Sequence, residues 1–441
     1  MDRPRQVPGH RCVRGRRCHC GAYCRTGERT YGTVPVSSYS LPDSRPRSLW
    51  SGLIGQDDVI VTLQAAVRDA HAPGESGPAM THAWLVTGPP GSGRSRAATT
   101  FAAALVCDEG GCGSCQACRT AGQGGHADVH VEIPEGLEIL IDHVKPLVHM
   151  AAQAPMTATW RVIVIEDADR LNDRAANHLL KALEEPTPHT VWILCAPSVD
   201  DVLPTIASRT RHVGLRTPSV ASITEMLVND CGIDETLAAF AARASQGHVG
   251  RARALATDEM TRERRQQYLR SPMNLRDLPS CVVVAGEVFD AVSAVADARA
   301  DRLDEEEVHL LKSRYYAEGV TRLTGALKRS HDAEAKELAK EQKRRRKRLV
   351  VDEVDRAIVD LIGLFRDVLT VQMQAGVELI NGEMRAQIEQ MAAGSTREDS
   401  VRRMDALEHE RTVLFAGGSP RSVLEAVMVQ IKDPNVRVGV A

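Results

Sequence analysis

Ala83-Trp84-Leu85-Val86-Thr87-Gly88-Pro89-Pro90-Gly91-Ser92-Gly93-Arg94-Ser95 decides the fold. A short apolar run ends on glycine and proline, and an Ala-rich helical stretch follows through Leu105. Strand, Gly-rich loop and helix in that order read as the opening of a nucleotide-binding unit. The glycines let successive backbone N–H groups turn inward around phosphate oxygens at a helix N-terminus. Gly88, Gly91, Gly93, Arg94 and Ser95 fit G-x-x-x-x-G-[KR]-S. The loop position that usually holds lysine is Arg94 here, and its planar fork keeps the charge without the geometry of an ammonium. Binding of ATP with Mg²⁺ is therefore expected to be weak, and efficient hydrolysis is not expected.

Two more apolar runs, Val162 to Ile165 and Val191 to Cys195, flank a helical face marked by Leu179, Leu180 and Leu183 that stops at Pro186. Strands alternating with helices predict an α/β unit with a parallel, doubly wound sheet covered on both faces. Upstream, Val59, Leu63 and Val67 predict a helix ahead of a Gly/Pro/Ser-rich break at 73–78. The α/β unit should end near Arg216-Thr217-Pro218. From Ser219 to about Leu278 the pattern is helical, with Gly247 and Gly250 as interruptions, and no convincing strand follows. The expected organisation is an irregular extension over 1–50, an α/β domain over 51–216, a helical lid over 217–278 and an all-helical domain over 279–441.

Glu166 and Asp167 follow the second apolar run. A nucleotide hydrolase needs an aspartate at the strand end to hold Mg²⁺ and a following glutamate to polarise the attacking water. This chain inverts the pair, so one carboxylate sits a methylene too far forward and the other a methylene too far back. Catalysis depends on sub-ångström placement, which argues for a relaxed or lost ATPase. The alternative is that both acids merely cap the strand.

Cys107, Cys112, Cys115 and Cys118 give C-x4-C-x2-C-x2-C just after the loop helix. Four thiolates separated by Gly, Ser and Ala suit tetrahedral zinc with no open position, a structural site for a segment with little apolar surface of its own. An iron–sulfur cluster is the alternative. Cys12, Cys18, Cys20 and Cys24 form a second group inside an Arg-rich start, where ten arginines face only Asp2, Glu28 and Asp43 in fifty residues. That segment lacks helical or strand periodicity and reads as disordered: either a small metal site or translated non-coding sequence upstream of the true start.

The chain has 441 residues, 43% of them apolar and only 3% aromatic, with a net charge of -3. That length exceeds what one core organises, and the composition suits helices packed through Ala, Leu and Val. No run of about 18 apolar residues suggests a membrane span, and the large, signal-free, clustered-cysteine chain points to reduced thiols in the cytoplasm. Few aromatics for base stacking, and no paired C-x2-C spacing, argue against a zinc-dependent nucleic-acid-binding module. Lys336 to Arg348 is strongly basic and reads as solvated surface, with DNA contact as the alternative.

Together these segments resemble the clamp-loader branch of the AAA+ ATPases. Ala175-Ala176-Asn177-His178-Leu179-Leu180-Lys181-Ala182-Leu183-Glu184-Glu185-Pro186 closely resembles that family's helix with Asn-Ala-Leu-Leu-Lys followed by Leu-Glu-Glu-Pro-Pro. The cysteine module after the loop helix is likewise a mark of bacterial loader subunits, although its first gap is shorter than usual. Ser208-Arg209-Thr210 resembles the Ser-Arg-Cys motif with threonine for cysteine; the resemblance makes Arg209 a catalytic finger offered to a neighbour's ATP. Gly417-Gly418-Ser419-Pro420-Arg421 and Leu424-Glu425-Ala426-Val427 look like the last collar helix. The resemblance covers roughly 53 to 430. Motor subunits of the family carry Gly-Ser-x-Arg-Asp-Ala as a sensor, whereas Gly250 stands at the arginine position here and Arg251 comes one step late. The resemblance therefore implies a RecA-like AAA+ domain, a helical lid and a helical collar. It implies a stator in a hetero-pentamer with gamma/tau and delta subunits that loads the sliding clamp of DNA polymerase III onto primed DNA. An ATP-hydrolysing motor subunit or another AAA+ ATPase is the alternative.

Overall fold

A computed structural model describes residues 48–73, 77–122, 124–134, 138–315 and 324–436. The extension over 1–50, with Cys12, Cys18, Cys20 and Cys24, lies outside the described residues except for its last three. Of those three, Trp50 is already buried in the core.

The first part of the chain contributes helix α1 (Asp57–Ala70), β1 (Ala83–Thr87), α2 (Arg94–Leu105), α3 (Gln116–Gly122), β2 (Val129–Glu132), α4 (Ile141–Ala151), β3 (Arg161–Ile165), α5 (Asp173–Glu184), β4 (Thr190–Ala196), α6 (Pro204–Ala207) and β5 (Arg211–Gly214). The strands form one parallel sheet in the order β2-β3-β4-β1-β5. Central strands β1, β3 and β4 are buried along their whole length, as a sheet covered on both faces requires. One face packs Trp84, Val86, Val162, Val164, Val191 and Ile193 on α1 and α2; the other packs Leu85, Ile163, Ile165, Trp192 and Leu194 on α4 and α5. The period-2 alternation of the strands thus splits into two cores. Asp128 staples the sheet's N-terminal edge: its fully buried carboxylate pairs with Arg161 at 3.1 Å and accepts hydrogen bonds from the amides of Met156, Thr157 and Ala158.

All described strands precede Leu215. Helices α7 (Val220–Cys231), α8 (Glu235–Ala244) and α9 (Val249–Thr257) share a small Ala-rich core with Ile223, Leu227 and Leu255. Helix α10 (Glu259–Leu269) leads to α11 (Leu278–Tyr315), α12 (Gly325–Gln372), α13 (Arg385–Ala393), α14 (Arg397–Phe415) and α15 (Pro420–Lys432). Their core takes Cys281, Val284, Val288 and Val292 from α11, and Ile358, Leu361 and Phe365 from α12, against Leu424, Val427 and Ile431 of α15. Contrary to the sequence reading, the stretch Leu278–Ser313 is long and apolar enough to cross a membrane by length and composition alone. Its buried residues Cys281, Val284, Val288 and Val292 recur every three or four positions and join the core with α12 and α15, while Val282 and Val283 are exposed.

The basic run is a solvated face only in part: Lys336 and Lys340 are exposed, as expected, but others are paired. Arg345 pairs with Asp304 at 2.6 Å and Glu307 at 2.5 Å, and Arg346 with Asp297, Asp301 and Asp304 across the α11–α12 hairpin. Lys343, Arg344 and Lys347 remain exposed.

Candidate functional site

The Gly-rich loop leaves the C-terminal end of β1, between β4 and β5, and enters α2. This is where a doubly wound sheet presents backbone amides to a ligand. Gly91 (φ 82°) and Gly93 (φ 98°), the N-cap of α2, both take left-handed backbone conformations that a side chain would strain. Gly91 is also crowded: a Cβ there would stand 2.2 Å from Cγ of His248. The amide of Val249 donates to the Gly91 carbonyl at 3.3 Å, so the first turn of α9 rests on the loop. Burial, with Arg356 and Arg251 nearby, lowers His248 to about 4 and keeps its ring neutral. Inside the loop, the buried Ser92 hydroxyl and one Arg94 nitrogen, Nη1, have no hydrogen-bond partner, the kind of orphaned donors that an anion would satisfy.

Glu166 follows β3 directly. Burial raises its carboxyl, while a hydrogen bond with the Ser95 hydroxyl works the other way. The helix-start serine and the strand-end acid thus meet as a Mg²⁺–nucleotide site would need. Asp167, in a left-handed conformation at φ 49°, is engaged quite differently. Three guanidinium groups converge on it: Arg348 at 2.5 Å, Arg170 at 3.6 Å and Arg94 at 3.8 Å. Of the three, Arg348 stands at hydrogen-bond distance from one carboxylate oxygen, and the other two stand at ion-pair distance. Arg348 belongs to the basic run on α12 and also donates to the Pro134 carbonyl. The sequence reading assigned neither Arg348 nor His248 to this site, because both come from elements far along the chain.

Arg251, one residue late for the sensor position, turns away from the loop. Its guanidinium pairs with Asp360 of α12, which is fully buried and also accepts from Tyr268 and, at 3.3 Å, from Arg265. Arg265 continues the network to Asn381 at 2.6 Å.

Cys107, at the end of α2, and Cys118, in α3, are buried, with Cys112 and Cys115 half-buried between them. The four sulfurs lie within 4.8 Å of one another and could hold a metal ion. Cys107 Sγ is 3.8 Å from that of Cys112 and 3.7 Å from that of Cys115. A regular ZnS₄ tetrahedron with bonds of about 2.3 Å has edges of about 3.8 Å, which the two separations from Cys107 match. Backbone amides of Cys115, Cys118 and Gly113 donate to the sulfurs of Cys112, Cys115 and Cys118 at 3.3–3.4 Å, an outer shell that stabilises thiolate charge.

Arg209 follows α6 and is about a third exposed. It forms an ion pair with Glu184 at 2.7 Å and donates to the Thr205 carbonyl at 2.8 Å. Glu184 ends α5, within the helix that carries the family resemblance.

A family described as DNA polymerase III, delta subunit, matches residues 74–219. The delta-prime subunit of DNA polymerase III from Pseudomonas aeruginosa is 38% identical over 152 residues, 33% of this chain and 46% of that protein. Its counterpart from Bacillus subtilis is 32% identical over 152 residues, 34% of this chain and 46% of that one. The gamma/tau subunit from Mycobacterium tuberculosis is 30% identical over 193 residues, 42% of this chain and 32% of its own length. The matches thus span less than half of each of these relatives. Over residues 74–219 the chain is similar to the delta and delta-prime subunits of DNA polymerase III.

Proposed function

We propose that the chain is the delta-prime stator of a DNA polymerase III clamp loader, a cytoplasmic replication subunit that assembles with gamma/tau and delta subunits. In this reading the AAA+ domain occupies 51–216, the lid 217–278 and the collar 279–441. The complex, not this chain alone, places the sliding clamp on primer-template DNA. Asp167 carries the reading: a hydrolytic acid neutralised by Arg348, Arg170 and Arg94 suits a subunit that turns over no ATP of its own. The displaced Arg251, spent on Asp360, supports the same conclusion.

The stator's contribution would be Arg209. Its pairing with Glu184 is exposed, worth about 1 kcal/mol or less, so the guanidinium is free to exchange that partner for the γ-phosphate of a neighbouring subunit. Arginine fingers supplied in trans are worth roughly 10³ to 10⁵ in rate in GTPases; a pentamer with several sites should lose less. Arg209→Ala should leave folding and loader assembly intact and depress the DNA- and clamp-stimulated ATPase of the reconstituted complex. Unchanged ATPase with normal clamp loading would overturn the finger.

The gamma/tau relative favours one second reading, an ATP-hydrolysing motor subunit. Turnover by the isolated chain near 1 s⁻¹ or above, the range of ordinary enzymes, would select it. We also infer that the four clustered thiolates hold structural zinc.

A further inference from the structure

One face of α12 touches two separate parts of the chain. Arg348 binds Asp167 at 2.5 Å and the Pro134 carbonyl, both in the α/β unit. Asp352 follows one turn later, 3.9 Å from Arg348, and Arg356 a turn beyond lies close enough to His248 to disfavour its protonation. Farther along, the Val359 carbonyl accepts from the Gln246 amide at 3.4 Å, and Asp360 holds Arg251. At Gly363 the helix passes so near Gln246 that a Cβ would meet its Nε2 at 2.9 Å. From 348 to 363 is about 22 Å of helix at 1.5 Å per residue. The lid in turn rests on the Gly-rich loop through Val249 and His248. The contacts therefore close a ring: loop to lid, lid to α12, α12 back to the strand-end acid.

We propose that α12 is an intrachain brace that locks the lid onto the α/β unit, so that the angle between them does not answer to nucleotide. The proposal deepens the stator reading and rests on it. A ligand shifts a conformational equilibrium only by its differential affinity for the two states, and in a closed ring any lid movement must first break a contact. The Asp360 end is fully buried, whereas Arg348 and Asp167 keep 18% and 17% of their side-chain surface. The Arg348 contact is therefore the one that yields first. Among the described residues its neighbour Arg346 pairs within the α11–α12 hairpin alone and provides an internal control.

Hydrogen exchange of the full-length chain tests the brace, because the Val249 amide bonds across the interface to Gly91 and exchanges when the lid lifts. In the wild-type chain the peptide spanning 246–252 should exchange at one rate with and without millimolar ATP and Mg²⁺. Arg348→Ala should speed that exchange by roughly tenfold or more, the signature of a lowered local opening energy, and Arg346→Ala should not. Arg348→Lys, which keeps a charge but loses the second donor to Pro134, should fall between. A wild-type response to ATP and Mg²⁺, or wild-type exchange in folded Arg348→Ala, would overturn the brace; the wild-type comparison decides even if the alanine variant does not fold. Loader assembly is scored separately. Failure to join gamma/tau and delta would sink the stator reading whatever the exchange shows, whereas normal assembly with an unbraced lid would sink only the brace.

Discussion

Replacing Cys115 with serine should cost this chain its metal. The sulfurs of Cys112 and Cys115 stand 3.8 and 3.7 Å from that of Cys107, the edge length of a ZnS₄ tetrahedron. Serine puts a protonated hydroxyl where a thiolate belongs. Structural zinc sites bind with about 10–16 kcal/mol at neutral pH, or about 2.5–4 kcal/mol for each of four ligands. Losing one should therefore weaken binding roughly 10²- to 10³-fold. The structural consequence should stay local. Within 107–118 Cys107, Gly111 and Cys118 are buried and Cys112 and Cys115 half-buried, and α3 adds Ala121 to the main core with Ala117 packed against it. Elemental analysis should find one zinc per wild-type chain, and a graded chelator titration should strip Cys115→Ser at a concentration lower by that factor. Circular dichroism should show little change, while exchange quickens over 107–122. Zinc retained by Cys115→Ser as tightly as by the wild type, or iron in place of zinc, would refute the reasoning.

Three further substitutions probe the interior. Asp360→Ala leaves Arg251, Arg265 and Tyr268 facing a void; stranding buried guanidinium groups costs about 3–5 kcal/mol, and a denaturant midpoint unchanged from wild type would contradict the network. Asp128→Asn should lose about 3 kcal/mol or more by the same mechanism. Amide donors hold the Asp128 carboxyl below the usual carboxylate range against the pull of burial, so its contribution is present above about pH 4 and disappears as pH falls further. Acid unfolding of Asp128→Asn should accordingly be less steep below pH 4. His248 works through a different window. Its folded value of about 4 lies below the unfolded 6.5, so the unfolded chain takes up the proton first and stability declines as pH drops from 6.5 toward 4. His248→Gln should flatten that decline, as read from thermal midpoints across the interval.

The central strands were legible because burial on both faces leaves a continuous apolar run, as in Val162–Ile165 and Val191–Cys195. Strands β2 and β5 were not. Val129-His130-Val131-Glu132 and Arg211-His212-Val213-Gly214 are short edge strands whose polar residues face outward, and neither shows a run to detect. The loop and the four cysteines were legible because their chemistry is local in sequence. The guanidinium groups around Asp167 were only partly so: Arg94 and Arg170 are near in sequence, but Arg348 lies 181 residues away. The same distance problem hid the paired part of the basic run, since the acids that pair with Arg345 and Arg346 lie on the opposite arm of the hairpin. Arg251 shows a subtler limit: one residue around a helix is a turn of about 100°, enough to send a side chain from the loop to Asp360.

The hairpin of α11 and α12 is held differently at its two ends. Near its base the arms join a large apolar core, but farther out the shared cluster shrinks to Ala296, Ala300 and Leu349, and the Arg345 and Arg346 pairs take over. Among the described residues the far portion shares no apolar cluster with a third element, so its length should be free to vary. Matched seven-residue deletions, one from each arm beyond Asp304, would keep every side chain on its own face and leave the base as it is. Lineages should therefore differ by such paired steps, while the stretch from Arg348 to Gly363 stays fixed in length.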